Sequence, residues 1–521
     1  MIMYQWQIYS GSWTNIAGAT QSKYIPPTYG NYRCVATNIQ GSQVISEAAV
    51  ITRDWDFKFT VRIPRWAGAP SNLSYKLPTR EYCGLGYALW PIVYDFTVNW
   101  GDGSTGTVTA WNSAALTHTY ALAGDYTITI SGIYEAFTLG WSRTLGIISM
   151  DEMRHPARMH SFDMLYERIL TYIDPSFNKI TGMQPMGMWC FAYACEKLEA
   201  IPDGLFDNYE TTDISNCLVG CLSITTIPAD LFKYQVKTTS FISCFNGAGI
   251  TSIPADLFKY NINAEEFNHC FYYCEELTSI PATLFSHNTK VTTFEECFGG
   301  CTLLTSIPAA LFTNCPEITD VSNCFESCES LTSIPAALFD NCPKITNVGG
   351  CFSYCTSLTA VPATLFAGCN KIGYYSSCFY YCTSLTGAAQ PFIDAAEARA
   401  AAEGITLAKQ GCFHNCTNLT DYATIPLAWR AGGAPRISIN PANVTKAAGQ
   451  TATFSVVAAE AESYQWQMKY NLPYADIPGA TSASYTTPPV VFPSNKTYYR
   501  CKVTNLYGLT WSTEAWVAVT A

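Results

Sequence analysis

The sequence is poor in positive charge and in histidine. Its 521 residues include 29 Lys and Arg against 40 Asp and Glu, a net charge of -11 at pH 7, and only 6 His. Proteins that bind nucleic acid neutralise phosphates with clustered Lys and Arg, so this balance argues against a nucleic-acid partner. Nowhere do eighteen apolar residues follow one another, which argues against a membrane-spanning helix.

The motifs of common catalytic sites are also absent. There is no Gly-x-Ser-x-Gly, no His-Glu-x-x-His and no phosphate loop, and the histidines share no spacing with a nucleophile. Acidic pairs such as Glu275/Glu276 and Glu295/Glu296 fall in loops, where paired carboxylates on a solvated face are commoner than a glycosidase pair. We therefore predict a non-enzymatic protein that needs no cofactor and no metal.

A six-residue phrase, apolar-Pro-x-x-Leu-Phe, is abundant. It occurs seven times at steps of 26 or 27 residues, with its prolines at Pro202, Pro228, Pro254, Pro281, Pro308, Pro335 and Pro362. A fixed period in the twenties is typical of solenoids, because one such unit cannot bury its own apolar face and must stack on its neighbours.

The longer template around the phrase carries a family resemblance. The clearest copy runs from Cys328 to Cys355 and reads Cys-x-x-Leu-Thr-Ser-Ile-Pro-Ala-x-Leu-Phe-x-x-Cys-x-x-Ile, followed by Cys-Phe-x-x-Cys. Residues 190–430 resemble leucine-rich repeats of the BspA-like type found in bacterial surface proteins. The resemblance implies a mainly β solenoid, with Leu-Thr-Ser-Ile as a short strand that the Pro ends. Near its end we predict a helix over 394–403, capped by Asp394 and stopped at Gly404.

Two further segments resemble each other. Tyr464-Gln-Trp466-Gln and Tyr499-Arg-Cys501 recur near the N-terminus as Tyr4-Gln-Trp6-Gln and Tyr32-Arg-Cys34. A Trp on the third strand and a Tyr two residues before a Cys resemble bacterial immunoglobulin-like domains. The resemblance implies such a domain at 434–521 and a partial one at 1–53, whose first strands are missing. We expect that Met1 lies inside a longer natural protein, or that another chain completes the half-domain.

A third pattern lies between the half-domain and the repeats. Residues 54–139 resemble a PKD-like β-sandwich, through Asn99-Trp100-Gly-Asp102-Gly and the alternating Tyr126, Ile128 and Ile130. Asp95 and Asp102 are candidate ligands of a Ca²⁺ site, although an Asp in such a turn more often forms hydrogen bonds with the backbone of the turn. Residues 140–189 are expected to connect and cap the first repeat, with a helix over 150–166.

Cysteines are concentrated in the repeats. Of 23, 20 fall between Cys190 and Cys416, mostly in Cys-x-x-x-Cys pairs. Recurrence at the repeat period favours buried thiols, since free Cys is a small buried hydrophobe; a disulfide ladder and a metal site are the alternatives. One position of each repeat carries a Thr, as at Thr332, Thr359 and Thr386, and predicts a polar ladder between layers.

These patterns predict a multidomain, mainly β protein that binds a ligand. The leading hypothesis is an extracellular adhesion or receptor-binding protein on a bacterial or phage surface, with the solenoid as platform; the alternative is a structural phage virion protein. The expected partner is a surface glycan or protein. Tyr offers a large contact area and a hydroxyl, so the predicted ligand-binding residues are tyrosines that vary between repeats: Tyr272, Tyr273, Tyr374, Tyr375, Tyr380 and Tyr381.

Overall fold

The chain is largely β-structure and turns in a computed structural model. The structure describes residues 2–20, 30–38, 42–46, 49–51, 56–63, 73–77, 82–83, 90–91, 94–134, 136–137, 147–153, 161–162, 168–179, 191–207, 211–470, 473–491 and 496–520. The chain divides into two compact units, Met1–Ala264 and Glu265–Ala521. The prediction of a multidomain, mainly β fold is confirmed.

The first unit begins with one antiparallel sheet. Its strands are β1 (Ile2–Tyr9), β2 (Trp13–Asn15), β3 (Gly30–Asn38), β4 (Gln43–Ile45) and β5 (Ala49–Ile51), in the order β2-β1-β3-β4 with β5 also on β3. Trp6 lies opposite Cys34 across β1 and β3. Tyr32 is buried on this sheet, whereas Trp6 and Cys34 are only half-buried. The boundaries 1–53 stay a prediction.

A second group of strands follows in the first unit. It comprises β6 (Asp56–Ile63), β7 (Ser74–Lys76), β8 (Tyr82–Cys83), β9 (Trp90–Pro91), β10 (Tyr94–Asn99), β11 (Thr105–Val108), β12 (Thr117–Thr119), β13 (Gly124–Tyr134), β14 (Ala136–Phe137), β15 (Ile147–Met153), β16 (Ser161–Phe162) and β17 (Tyr172–Ile173), with short 3-10 turns at Ala114–Leu116 and Pro175–Lys179. Six of these strands form one sheet in the order β11-β10-β13-β6-β15-β17, and β7 pairs with β12. Val98, Ile128 and Ile130 are fully buried, as the alternation along their strands predicts.

Asp102 binds its own turn. Its carboxylate accepts hydrogen bonds from the backbone N–H and the hydroxyl of Ser104, at 3.0 and 2.6 Å. Nε2 of His118 lies 2.7 Å from the other oxygen. The Ser104 hydroxyl is the largest cause that lowers the pKa of Asp102 to about 2. The turn interpretation is therefore confirmed.

Residues after 140 extend the six-stranded sheet. Strand β15 pairs antiparallel with β6 and parallel with β17, and the side chains of Ile147, Met150 and Ile173 are buried there. The helix expected over 150–166 is therefore wrong at 150–153 and at 161–162, which belong to strands β15 and β16, and 154–160 and 163–166 lie outside the described residues. Two register shifts along β15 interrupt the period-two alternation by which a strand is recognised in sequence.

Residues 191–264 of the first unit form stacked layers, one per repeat. Backbone N–H groups donate across layers, as from Leu218 to the carbonyl of Cys244 at 2.9 Å. The rings of Phe206, Phe232 and Phe258 stack at centroid distances of 5.9 and 5.8 Å. The apolar-Pro-x-x-Leu-Phe phrase thus supplies one core Phe per layer.

The second unit repeats this layer over residues 265–430. Five parallel bridges join successive layers, from Glu266 to Thr293 and onward through Asp320, Asn347, Tyr374 and Ala408. A column of Phe rings, at centroid distances between 5.4 and 5.7 Å, runs through Phe271, Phe298, Phe325, Phe352, Phe379 and Phe413.

The predicted strand within each repeat lies elsewhere. Leu-Thr-Ser-Ile forms no strand in the layers that the structure describes, and the parallel bridges fall four residues before the first Cys of each pair. The Thr of this segment donates one backbone bond to the preceding layer, as from Thr359 to Thr332 at 3.2 Å. Proline follows two residues after the Ser and has no N–H to extend that pairing.

The threonine side chains do form a ladder. The hydroxyl of Thr359 donates to the carbonyl of Thr332 at 3.1 Å, and Thr386 repeats the contact with Thr359 at 3.3 Å. The acceptor is backbone rather than a neighbouring hydroxyl. A polar ladder between layers is confirmed in this form.

The helix predicted over 394–403 is α1 (Gln390–Glu403), and a shorter α2 (Leu427–Arg430) follows. Gly404 stops α1 in the left-handed conformation, with φ +67°, as predicted. Asp394 does not cap the helix, since it lies in the second turn. The carboxylate of Asp421 instead accepts hydrogen bonds from the N–H groups of Ala389 and Gln390, at 3.0 and 2.8 Å.

The repeat cysteines that the structure describes are free thiols and buried; Cys190 lies outside the described residues. From Cys301 onward, the thiol at the second Cys of a pair donates to a Phe carbonyl of the preceding layer, as from Cys328 to Phe298 at 3.3 Å and from Cys355 to Phe325 at 3.2 Å. Cys342 repeats this geometry in the Leu-Phe segment, at 3.7 Å from Phe312. The thiols therefore join the layers as weak donors.

The second unit ends in a β-sandwich. Its strands are β18 (Arg436–Ile439), β19 (Val444–Ala447), β20 (Thr453–Ser455), β21 (Val457–Ala459), β22 (Ser463–Lys469), β23 (Ala475–Asp476), β24 (Ser484–Thr486), β25 (Thr497–Asn505), β26 (Gly508–Trp511) and β27 (Ala515–Thr520). Trp466 is fully buried against Phe454 and Tyr485. Cys501, opposite Trp466, is a free thiol. This arrangement is immunoglobulin-like.

Candidate ligand-binding groove

Two pairs of residues change from layer to layer in the second unit. One pair precedes the first Cys of Cys-Phe-x-x-Cys, and the other lies between the Phe and the second Cys. The Cys and Phe side chains are buried, so the two variable pairs supply the side chains that differ on this surface. We call it the variable face, and in three successive layers it consists of Ser322, Asn323, Glu326, Ser327, Gly349, Gly350, Ser353, Tyr354, Ser376, Ser377, Tyr380 and Tyr381.

A groove of about 500 Å³ crosses the variable face. Tyrosines at its edges come from two layers, Tyr354 from one and Tyr374 and Tyr380 from the next. Short polar side chains line the rest, namely Ser322, Asn323, Asn347, Ser353, Ser376 and Ser377. Such a surface can make many hydrogen bonds and offers aromatic contact at its rim.

Two glycines that line the groove make room for side chains of the neighbouring layers. A side chain on Gly349 would begin 2.6 Å from the ring of Tyr374, and one on Gly350 would begin 1.9 Å from Oδ1 of Asn323. Gly350 also has φ +63°, a conformation in which glycine carries no steric penalty. Neighbouring layers hold Ser-Asn and Ser-Ser at this position, so the depression is specific to one layer.

Aromatic rings continue the surface beside the groove. The rings of Tyr354 and Tyr381 stack at a centroid distance of 5.3 Å with 19° between their planes. Tyr380 stacks on His414 at 4.8 Å. Tyr354 and Tyr381 have φ +58° and +59°, a left-handed conformation that costs a residue with a side chain about 1–2 kcal/mol. The equivalent residue of another layer is Gly300, which avoids this cost.

The groove is acidic. Glu326 contributes a half-buried carboxylate, and its pKa is raised by burial and, to a smaller degree, by the negative charge of Glu296. Asp320, two residues before Ser322 in the sequence, accepts hydrogen bonds from the N–H and hydroxyl of Ser322 and from the side-chain amide of Asn347. No Lys, Arg or His is among the groove-lining residues that the structure describes.

Two of the predicted ligand-binding tyrosines line this groove. Tyr374 is 48% exposed, and Tyr380 lines the groove from the same layer. Tyr381 lies beside it through its stacking on Tyr354. The structure thus brings three of the six predicted residues together on one surface.

The prediction for Tyr375 is wrong. Its side chain is 1% exposed and packs against Phe366 and Trp429 in the core, and its hydroxyl accepts from Arg399. An alignment of the repeats would have revealed this, because the equivalent position holds Val321 and Val348 in the two preceding layers. A residue that is apolar in the other layers faces the core.

Tyr272 and Tyr273 lie on the variable face in another layer, outside the groove. A side chain on Gly299 or Gly300 would begin 2.9 or 2.6 Å from their rings, so each ring covers a glycine of the next layer. Sequence reasoning missed the other ten groove residues, among them Asn323, Glu326, Asn347 and Tyr354. Their signal was available, since all but Asn347 fall in the variable pairs.

Comparisons with known proteins concern about a sixth of the chain. No family model matches it, and no curated protein matches it. Among solved structures, it is similar to Sidekick-1 immunoglobulin domains 1-5, at 23% identity over 16% of this chain and 19% of that chain, with a TM-score of 0.14. It is also similar to extracellular domains 3-5 of Drosophila OTK, at 16% identity over 17% of this chain and 32% of that chain, with a TM-score of 0.14. A third similar structure is the titin M3 domain, at 18% identity over 17% of this chain and 98% of that chain, with a TM-score of 0.15.

Proposed function

We propose that this protein is a non-enzymatic binding protein that holds its ligand on the variable face. The repeated layers are leucine-rich repeats of the BspA-like type, and they supply a rigid platform. The observation that carries this proposal is the groove between Tyr354, Tyr374 and Tyr380, in a layer where two glycines remove the side chains.

The chemistry of the groove favours recognition over catalysis. Its serines and asparagines offer hydroxyl and amide groups for hydrogen bonds, and its tyrosines offer rings with few rotatable bonds. A ligand bound there gains specific polar contacts at a low entropic cost. We propose a role in adhesion or receptor binding at a bacterial or phage surface, in an extracellular setting. In the parts of the chain that the structure describes, no helix has the length and apolarity needed to cross a bilayer.

Attachment of the purified full chain to bacterial and host cells tests this function. A groove variant carries Tyr354→Ala, Tyr374→Ala and Tyr380→Ala. A control variant carries Tyr234→Ala and Tyr260→Ala, which are similarly exposed tyrosines of the first unit. We expect the groove variant to lose at least tenfold in attachment while its circular dichroism is unchanged, and the control to attach normally. Undiminished attachment of a folded groove variant would remove the groove from the function.

A further inference from the structure

We propose that the groove ligand is an oligosaccharide without negative charge, and that Glu326 accepts hydrogen bonds from its hydroxyl groups. The inference rests on the proposed function and names the ligand class of the same groove. It follows from three properties of the lining: its charge, its polarity and the exposure of its aromatic rings.

The charge of the groove disfavours acidic ligands. Glu326 lines the groove and Asp320 lies next to it, hydrogen-bonded to the lining residues Ser322 and Asn347. Among the lining residues that the structure describes there is no cation to pair with a carboxylate, sulfate or phosphate. A partly desolvated anion facing Glu326 would therefore meet a repulsion that no lining residue offsets.

The polarity of the groove favours a sugar over a peptide side chain. A protein partner usually anchors itself through an aromatic or aliphatic side chain in a desolvated apolar pocket. Here six of the lining side chains are Ser or Asn, and Gly349 and Gly350 form the depression. Hydroxyl and amide groups at this density match a ligand with a hydroxyl on nearly every carbon.

The rings supply the apolar half of sugar recognition. A pyranose ring has one face of C–H groups, which packs against aromatic side chains. Tyr374 is 48% exposed and Tyr354 is 39% exposed, and the two border the groove from adjacent layers. The stacked Tyr354–Tyr381 pair continues the aromatic surface past the groove, so it can contact a second sugar unit of a chain.

Glu326 is the residue that orients the ligand. A carboxylate accepts from two hydroxyls at once, and hydrogen bonds to a charged acceptor are about twice as strong as neutral ones. Burial within the layer stack raises the pKa of this carboxyl, and Glu296 of the preceding layer raises it further, while Ser353 opposes the shift by donating to it. The charged form that binds hydroxyls is therefore lost at a higher pH than for an exposed Glu.

A glycan array that carries both neutral and acidic oligosaccharides tests the inference with the full chain, the groove variant and Glu326→Gln. We expect the glycans whose binding depends on the three tyrosines to be uncharged, and Glu326→Gln to weaken them about tenfold. Glu329→Gln, an exposed neighbour of the same layer, is the control and should leave them unchanged.

The outcomes separate the two proposals. Tyrosine-dependent binding of sialylated or sulfated glycans, or an unchanged affinity in Glu326→Gln, would overturn the ligand class and leave the groove as the binding site. Tyrosine-dependent attachment to cells with no glycan bound on the array would overturn it in favour of a protein ligand. Glycan binding that ignores all three tyrosines would overturn the groove itself.

Discussion

His414 and Glu460 form a buried, hydrogen-bonded pair within the second unit. Nδ1 of His414 lies 2.5 Å from Oε1 of Glu460, and the two side chains are 8% and 7% exposed. His414 belongs to the last layer, and Glu460 lies in the turn between β21 and β22 of the immunoglobulin-like sandwich. The imidazole also stacks on Tyr380 at the groove. One side chain thus joins the platform to the sandwich.

Removing one partner of this pair should destabilise the junction. Glu460→Ala leaves Nδ1 of His414 with only the Arg430 carbonyl, at 3.3 Å, as a partner, and the loss of a buried hydrogen-bond partner costs about 1–3 kcal/mol. We expect urea unfolding, followed by tryptophan fluorescence, to show this loss. Glu462→Ala, an exposed residue of the same turn, is the control. Equal midpoints for the two variants would show that the pair does not hold the junction.

The cap of α1 can be tested by two aspartates. Asp421→Ala removes the acceptor for the N–H groups of Ala389 and Gln390, and we expect a loss of about 0.5–2 kcal/mol in unfolding free energy. Asp394→Ala, at an exposed position whose carboxylate accepts only from a side chain, that of Gln390, should lose less than 0.5 kcal/mol. A larger loss for Asp394→Ala than for Asp421→Ala would favour Asp394 as the cap, as predicted from the sequence.

The depth of the groove depends on Gly350. Gly350→Ala forces a side chain against Asn323 and adds the cost of a left-handed alanine. Gly387→Ala has the same backbone cost, with φ +71°, but its new methyl group meets no atom within 4 Å. We expect Gly350→Ala to lower the thermal midpoint more than Gly387→Ala and to reduce ligand binding as Asn323 moves. Equal midpoints would mean that the groove floor tolerates a side chain.

Buried thiols should make the layers sensitive to alkali. Burial raises the pKa values of Cys315, Cys342 and Cys369 to about 12. Between pH 9 and pH 12 the unfolded chain releases protons that the folded chain keeps, so stability falls as pH rises, by up to about 1.4 kcal/mol per pH unit for each thiol. Below pH 9 these thiols are protonated in both states and contribute no such slope.

Two variants separate this effect from packing. Cys342→Ala should lose stability at pH 7 but show a shallower fall between pH 9 and pH 11 than the parent. Leu331→Ala, also fully buried, should lose about 2–5 kcal/mol at both ends of that range. A parallel fall for parent and Cys342→Ala would contradict the linkage.

The sequence predicted what depends on period and missed what depends on contacts between layers. The spacing of Pro335 and its equivalents predicted a stack with Leu331 and Phe339 in its core. It did not predict that Asp421 would cap α1 from 27 residues beyond Asp394, because that contact is made only after the layers stack. Tyr375 was misassigned because it was chosen as a tyrosine, without comparing it with the apolar residues at the equivalent position of other repeats.

The candidate site also depends on contacts between layers, which the sequence period does not predict. Tyr374 and Tyr380 were recognisable as variable side chains, whereas the groove itself arises where Gly349 and Gly350 lie between two layers with side chains. Glu326 falls in a variable pair, but an acidic residue by itself does not predict a groove until its neighbours in the adjacent layers are known. The missing side chains of Gly349 and Gly350 contribute to a groove only because the adjacent layers carry side chains at its edges.

Hydroxyl-radical footprinting of the full chain tests most directly whether the variable face is the binding surface. The probe is a neutral oligosaccharide that the array identifies as bound. We expect protection of Tyr354, Tyr374 and Tyr380 on adding it, with unchanged oxidation of Tyr234 and Tyr260. Unchanged oxidation of the three groove tyrosines at saturating ligand, or protection confined to other residues, would contradict this account.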